Sequence, residues 1–179
     1  KGNPFEIDDV LAKVMAGTYD QNTMAKQQQR EKRKAEIIGK LQNLGNDPDM
    51  DEVESLLCDL VVADPTDENL GLLQRILAQI GHPVGPATKR VMKQVQADFD
   101  DDVEAQNFVA WNLAIVSDLT ARDPELALKA AKRAMELKPD SSVTDTMARV
   151  QYSLGRIDKA IEFQKKAVEL AGAENLPEE

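Results

Sequence analysis

One histidine, one cysteine and one tryptophan stand in 179 residues, and each scarcity removes a class of chemistry. With His82 as the only histidine, neither a catalytic triad nor a histidine metal cluster can be assembled. Its loop, "IGHPVGP", predicts a solvated side chain. Cys58 has no second cysteine for an intramolecular disulfide, and shares a helical face with Val53, Leu56, Leu57, Leu60 and Val61. A buried, inert thiol is expected there. Neither a Cys-x-x-Cys nor a glycine-rich phosphate loop occurs. Two acidic runs have calcium-loop spacing only at their start. "DPDMDEVESLLC" places Glu52 where the turn needs glycine and Cys58 where the bidentate glutamate belongs. "DFDDDVEAQNFV" fails in the same way at Val103 and Val109. No metal or cofactor is expected, and this chain by itself is not expected to be an enzyme.

Aromatic residues make up 4% of the chain while hydrophobic residues reach 42%, so the core must be built from Leu, Val, Ile, Ala and Met. No run alternates apolar and polar residues over β-branched positions, and no Asn-Gly or Asp-Gly hairpin signal is present. The fold class expected is all-α. No apolar stretch approaches the roughly 18 residues of a membrane span, so membrane insertion is not expected. A net charge of −10 disfavours nucleic acid and anionic membrane as partners.

Helical patterning fills the chain. Ile7, Val10, Leu11, Val14 and Met15 form one apolar stripe, and Gly17 stands where a left-handed C-cap belongs. A short first helix is therefore expected within residues 1–20. Thr23 then opens a long polar helix to about Leu44, in a linker spanning 21–46. Its first half carries Lys26, Arg30, Lys32, Arg33 and Lys34 among Gln and Glu, with no aromatic to stack bases. A solvated helix is expected rather than a nucleic-acid patch. Its second half gains a stripe through Ile37, Ile38, Leu41 and Leu44, so the helix should start in water and finish docked.

From Asp47 on, punctuation is regular. "NDPDMDEV", "ADPTDENL", "GHPVGPAT", "FDDDVEAQ", "ARDPELAL", "KPDSSVTD" and "LGRIDKAI" each open an amphipathic segment. Asp-Pro is a sound helix start, because Asp caps orphan N–H groups and Pro at the first position gives up a donor already unpaired. Pro48, Pro65 and Pro83 are 17 and 18 residues apart, one helix plus one turn each. Two such units make the period of an α-solenoid.

The segments "FVAWNLAIVSDLTARDPELALKAAKRAMELKPD" and "SSVTDTMARVQYSLGRIDKAIEFQKKAVELAGA" resemble two successive tetratricopeptide repeats. Small residues recur at Ala114 and Ala148, 34 positions apart, and at Ala127/Ala160 and Ala134/Ala167, each 33 apart. Gly155 falls in the second turn and Pro139 closes the first unit. Departures are Asp118 or a neighbour, and Gln151, at the signature tyrosine, Gly172 for the closing proline, and a longer turn at "TARDPE". The resemblance covers 105–172 and implies a right-handed α-solenoid of helical hairpins, the last four helices forming two of them. Residues 47–104 keep the period without the signature and read as degenerate repeats, and 173–179 as a tail.

The resemblance further implies a groove lined by the first helix of each hairpin. In this chain the groove would hold Phe108, Trp111, Ile115, Asp145, Arg149 and Tyr152, facing a protein or peptide ligand. Trp111 can serve there as an anchor or pack between hairpins. The basic clamp by which some family members hold C-terminal carboxylates is not reproduced, since those positions are Trp, Ile, Asp and Arg.

The first residues, "GNPFEIDDVLAKVMAGTYD", resemble the final corner and helix of thioredoxin-like proteins of the extracytoplasmic redoxin kind. That resemblance implies a catalytic domain upstream of Lys1, carrying the Cys-x-x-Cys this chain lacks. "KGNPFE" has no initiator Met, in keeping with a longer parent. The compartment would then be extracytoplasmic, and otherwise cytoplasmic. Two functions follow as alternatives: an interaction module appended to a thiol–disulfide oxidoreductase, or a purely structural helical array that self-associates with no redox connection. Self-association of the isolated chain through the stripe of the first helix is a further expectation.

Overall fold

The structure, a computed structural model, describes residues 21–45 and 47–174, and of 21–23 and 174 the backbone alone. The expected first helix of 1–20, the thioredoxin-like resemblance it carries and self-association through its stripe lie outside the described residues, as does the tail beyond 174. Within them the chain is all-helical, with eight helices and no strand. These are α1 (Gln21–Gln42), α2 (Met50–Ala63), α3 (Asp67–Gln79), α4 (Val84–Asp98), α5 (Val103–Ile115), α6 (Pro124–Leu137), α7 (Ser141–Ser153) and α8 (Ile157–Glu174).

The acidic punctuation does start the helices, though not always at the expected residue. Asp123 caps α6 by accepting from Leu126 N, with Pro124 in the first turn. Asp102 caps α5 through Glu104 N and Ala105 N, and Asp140 caps α7 through Val143 N. At the two upstream Asp-Pro pairs the cap falls two residues later, at Asp49 and Thr66. Asp64 instead ends α2, and its carboxylate takes Lys34 Nζ at 2.6 Å and Asn69 Nδ2 at 3.0 Å. Thr23 is inside α1, which begins at Gln21, so it is not that helix's cap.

Two turns share one geometry. Gly81 (φ 74°) and Gly155 (φ 72°) adopt the left-handed region that glycine enters without steric cost. In each, the next N–H reaches back five residues, His82 N to Leu77 O and Arg156 N to Gln151 O, both 2.9 Å. That is the Schellman closure of a helix end. Asp118 lies past the end of α5 and accepts from Thr120 N (2.8 Å) and Thr120 Oγ1 (2.7 Å), which holds its pKa below the usual carboxylate range. It therefore shapes the long turn rather than occupying a helix position.

Each helix packs on its successor, and α2 also meets α4 as α5 meets α7. The repeated alanines sit where bulk is excluded. Ala127 and Ala134 are fully buried, Ala148, Ala160 and Ala167 nearly so, and Ala114 is half-buried against the core. A continuous cluster runs from Val53 and Leu57 through Leu73, Met92 and Val109 to Val150.

A second, smaller cluster docks the end of α1: Ile37 packs with Leu56, Leu60 and Ala63, flanked by Ile38, Leu41 and Leu44. The basic half of α1 does not simply project into solvent. Lys26 pairs with Asp101 (2.6 Å), Arg30 with Asp102 (2.9 Å), Arg33 with Asp59 (3.4 Å) and Lys34 with Asp64 (2.6 Å). Arg30 also lies over the Phe99 ring, 4.1 Å from its centroid. The basic edge of α1 thus meets an acidic edge made by the end of α2 and the α4–α5 turn.

Candidate functional site

The first turns of α3, α5 and α7 open on one cleft of about 370 Å³. Phe108 and Trp111, one turn apart on α5, are both half-buried and both line it. Ile115 continues the same helix face and is 42% exposed, outside the cleft lining.

The remaining residues expected in the groove lie along α7, also outside that lining. Asp145 accepts from Gln164 Nε2 of α8 at 2.6 Å, so it is tied to the neighbouring helix. Arg149 is exposed and stands over the Tyr152 ring on its own helix, 5.7 Å from the centroid. Tyr152 is 58% exposed. The structure therefore brings Phe108 and Trp111 into one concavity, while Ile115, Arg149 and Tyr152 offer exposed apolar and cationic surface.

The cleft's polar residues were not expected from the sequence. Asp67 accepts from Asn112 Nδ2 at 3.0 Å, Glu104 is exposed in the first turn of α5, and Asp140 pairs with Lys138 at 3.0 Å. The N–H of Val143 holds the Asp140 carboxyl below its usual range, helped by Lys138. Asn107 Oδ1 is buried with no hydrogen-bond partner among the described residues. No lysine or arginine lines the cleft. The signal was present in the first-turn acids, but only the stacking of three alternate helices brings those turns together.

A second cleft, about 500 Å³, lies beside α2 and α4 and contains Cys58, Glu54 and Arg90. Glu54 joins two side chains: Arg90 Nη2 on Oε1, and His82 Nδ1 on Oε2 at 3.1 Å. His82 is consequently half-buried and paired, not the solvated side chain expected, because the Gly81 turn places it over α2. Arg90 Nη2 also reaches Cys58 Sγ at 3.3 Å. Burial pushes the Cys58 thiol up, against the opposing pull of Arg90. Since the thiolate is the nucleophile, this site favours an unreactive thiol.

Among the described residues no group of three or more His, Cys, Asp or Glu could hold a metal ion. None of their helices is long and apolar enough to cross a membrane. Compared with protein-family models, with curated proteins and with solved structures, the chain matches none.

Proposed function

We propose that residues 105–172 are two tetratricopeptide-like repeats and that the chain is a protein-interaction module. Its ligand is an extended or helical peptide lying along the α5 and α7 face. The observation that carries this reading is the composition of that face. An aromatic pair, Phe108 and Trp111, lines a concavity, with Ile115, Tyr152 and Arg149 left exposed beside it. Interface hot spots favour Trp, Tyr and Arg, and contiguous exposed apolar patches mark interaction sites. The 33-residue recurrence of buried alanines and the contact of α5 with α7 support the repeat reading.

The parent protein in this proposal carries a thioredoxin-like thiol–disulfide oxidoreductase domain upstream, which the repeats would present to a substrate protein. That part rests on the sequence of residues 2–20 alone.

Arg149→Ala tests the module. Peptides selected on the full chain from a displayed random library should bind the variant more weakly, with the melting temperature nearly unchanged. Unchanged binding excludes the α5/α7 face as the docking surface.

A second reading, self-association, is favoured by one feature of α8. Ile157 (48% exposed), Ile161 (50%) and Val168 (66%) form a stripe on its outer side. Thirty-three residues before Ile161 and Val168, their counterparts Leu128 and Met135 are packed against the core. Sedimentation of the chain with Ile161→Lys would separate the readings, since only self-association predicts a loss of mass.

A further inference from the structure

We propose that the cleft at the starts of α3, α5 and α7 binds an arginine side chain of the partner peptide, stacked on Trp111 and paired with Asp67 and Glu104. The inference rests on the interaction-module reading and names the chemistry of its ligand.

Charge decides first. The ionised groups lining the cleft are Asp67, Glu104 and Asp140. Asp140 is already paired with Lys138, which leaves two carboxylates without a cation from the cleft walls. An opposing effect exists, because three helix N-termini meet here and each contributes roughly +0.5 charge. That charge resides on the first N–H groups, and in each helix one or two of these are capped. Thr66 Oγ1 takes Asn69 N at 3.3 Å, Asp102 Oδ1 takes Glu104 N and Ala105 N at 3.1 Å, and Asp140 Oδ1 takes Val143 N at 2.9 Å. With these donors engaged, the full charges of Asp67 and Glu104 prevail and the cleft selects a cation.

The aromatic lining decides between cations. A guanidinium is planar, pairs with carboxylates through a fork of N–H donors and stacks on ring faces, whereas an ammonium is a hydrated point charge. The protein already uses this combination elsewhere on α5's N-terminal side: Arg30 lies over Phe99 while its Nη1 reaches Asp102. In the cleft the carboxylates and the rings of Phe108 and Trp111 are in place, and the guanidinium is what they lack.

Trp111 is the only tryptophan, so its emission reports on the site directly. The full chain would be titrated with a Gly/Ser-spaced octapeptide carrying two arginines, with its citrulline isostere and with its glutamate counterpart. The arginine peptide should change Trp111 emission saturably, the citrulline peptide should bind about tenfold or more weakly, and the glutamate peptide should not bind. Asp67→Asn with Glu104→Gln should reduce arginine binding to the citrulline level, whereas Glu162→Gln on the exposed side of α8 should not. Equal binding of arginine and citrulline peptides would overturn the proposal. So would an equal loss in Glu162→Gln, which would trace binding to the chain's overall acidity. If neutral or acidic peptides bind and depend on Arg149, the arginine site falls while the interaction module stands. If no peptide of any charge binds, both fall.

Discussion

Arg30 of α1 and Asp102 at the start of α5 meet at 2.9 Å, across 72 positions of sequence. Asp102 serves two structures at once. Its Oδ1 caps α5 and its Oδ2 holds α1. Asp102→Asn keeps the capping oxygen and removes the charge, whereas Asp102→Ala removes both. Asparagine should therefore cost little, and alanine about 1 kcal/mol more, read from urea melts of the two variants.

The Lys26–Asp101 and Arg33–Asp59 contacts of α1 are more exposed, and such pairs are individually weak. Hydrogen exchange over residues 24–34 should accelerate in about 1 M salt, where the screening length falls to about 3 Å. Residues 37–41, held by the Ile37 cluster, should be unaffected. Uniform behaviour along α1 would show that the ion pairs do not position it.

Gln106 is fully buried, and its Nε2 donates to Gln96 O (2.9 Å) and Phe99 O (2.8 Å), closing the end of α4. Lys129 Nζ reaches the Gln96 side chain at 2.9 Å, so the network spans three helices. Gln106→Leu fits the volume but leaves Gln96 O without this donor, while Phe99 O keeps the Asp102 N–H at 3.1 Å, at a cost of about 1–3 kcal/mol. A fall in melting temperature of about 5–10 °C is expected. A neutral result would mean that water replaces the amide.

Gly85 is buried under the α5–α6 turn, and a Cβ there would collide with Thr120 Oγ1 and lie 2.9 Å from Thr120 Cβ. Gly85→Ala must displace the turn, at about 1–3 kcal/mol. Gly39 in α1 has nothing within 4 Å of the same position. Gly39→Ala should instead stabilise by up to about 1 kcal/mol through helix propensity. Thermal melts of the two variants should move in opposite directions, and a shift of the same sign would contradict the close approach at Gly85.

Glu54 is held below the usual carboxylate range by the Arg90 hydrogen bond and then by that of His82. A depressed folded pKa stabilises fully above the unfolded value of about 4.3. That contribution is lost as pH falls through the folded value. Glu54→Gln should be less stable than the parent at about pH 7, and the gap should narrow as pH falls below about 4.3. A gap independent of pH would assign the effect to packing.

Much of this arrangement is legible in the sequence, and the illegible part has a common cause. Asp102, Asp123 and Asp140 start helices because capping chemistry is local, and Ala127 and Ala160 are buried because periodicity reports a helix face. The His82–Glu54 contact, the α3 cap displaced from Asp64 to Thr66, and the pairing of α1 with acids 26 to 75 residues away depend on tertiary packing. No spacing rule encodes which helix ends become neighbours. Phe108 and Trp111 stand one turn apart in sequence, so their common helix face is legible there, whereas Asp67, on a separate helix, joins them only through stacking.

The most direct test maps a bound peptide onto the chain by NMR, using a peptide selected from a displayed random library. Shifts should concentrate on the Trp111 indole, Phe108, Ile115, Arg149 and Tyr152, and Arg149→Ala should weaken binding about thirtyfold, equivalent to about 2 kcal/mol. Shifts confined to Ile157, Ile161 and Val168, or binding indifferent to Arg149→Ala, would contradict the assignment of this face as the partner surface.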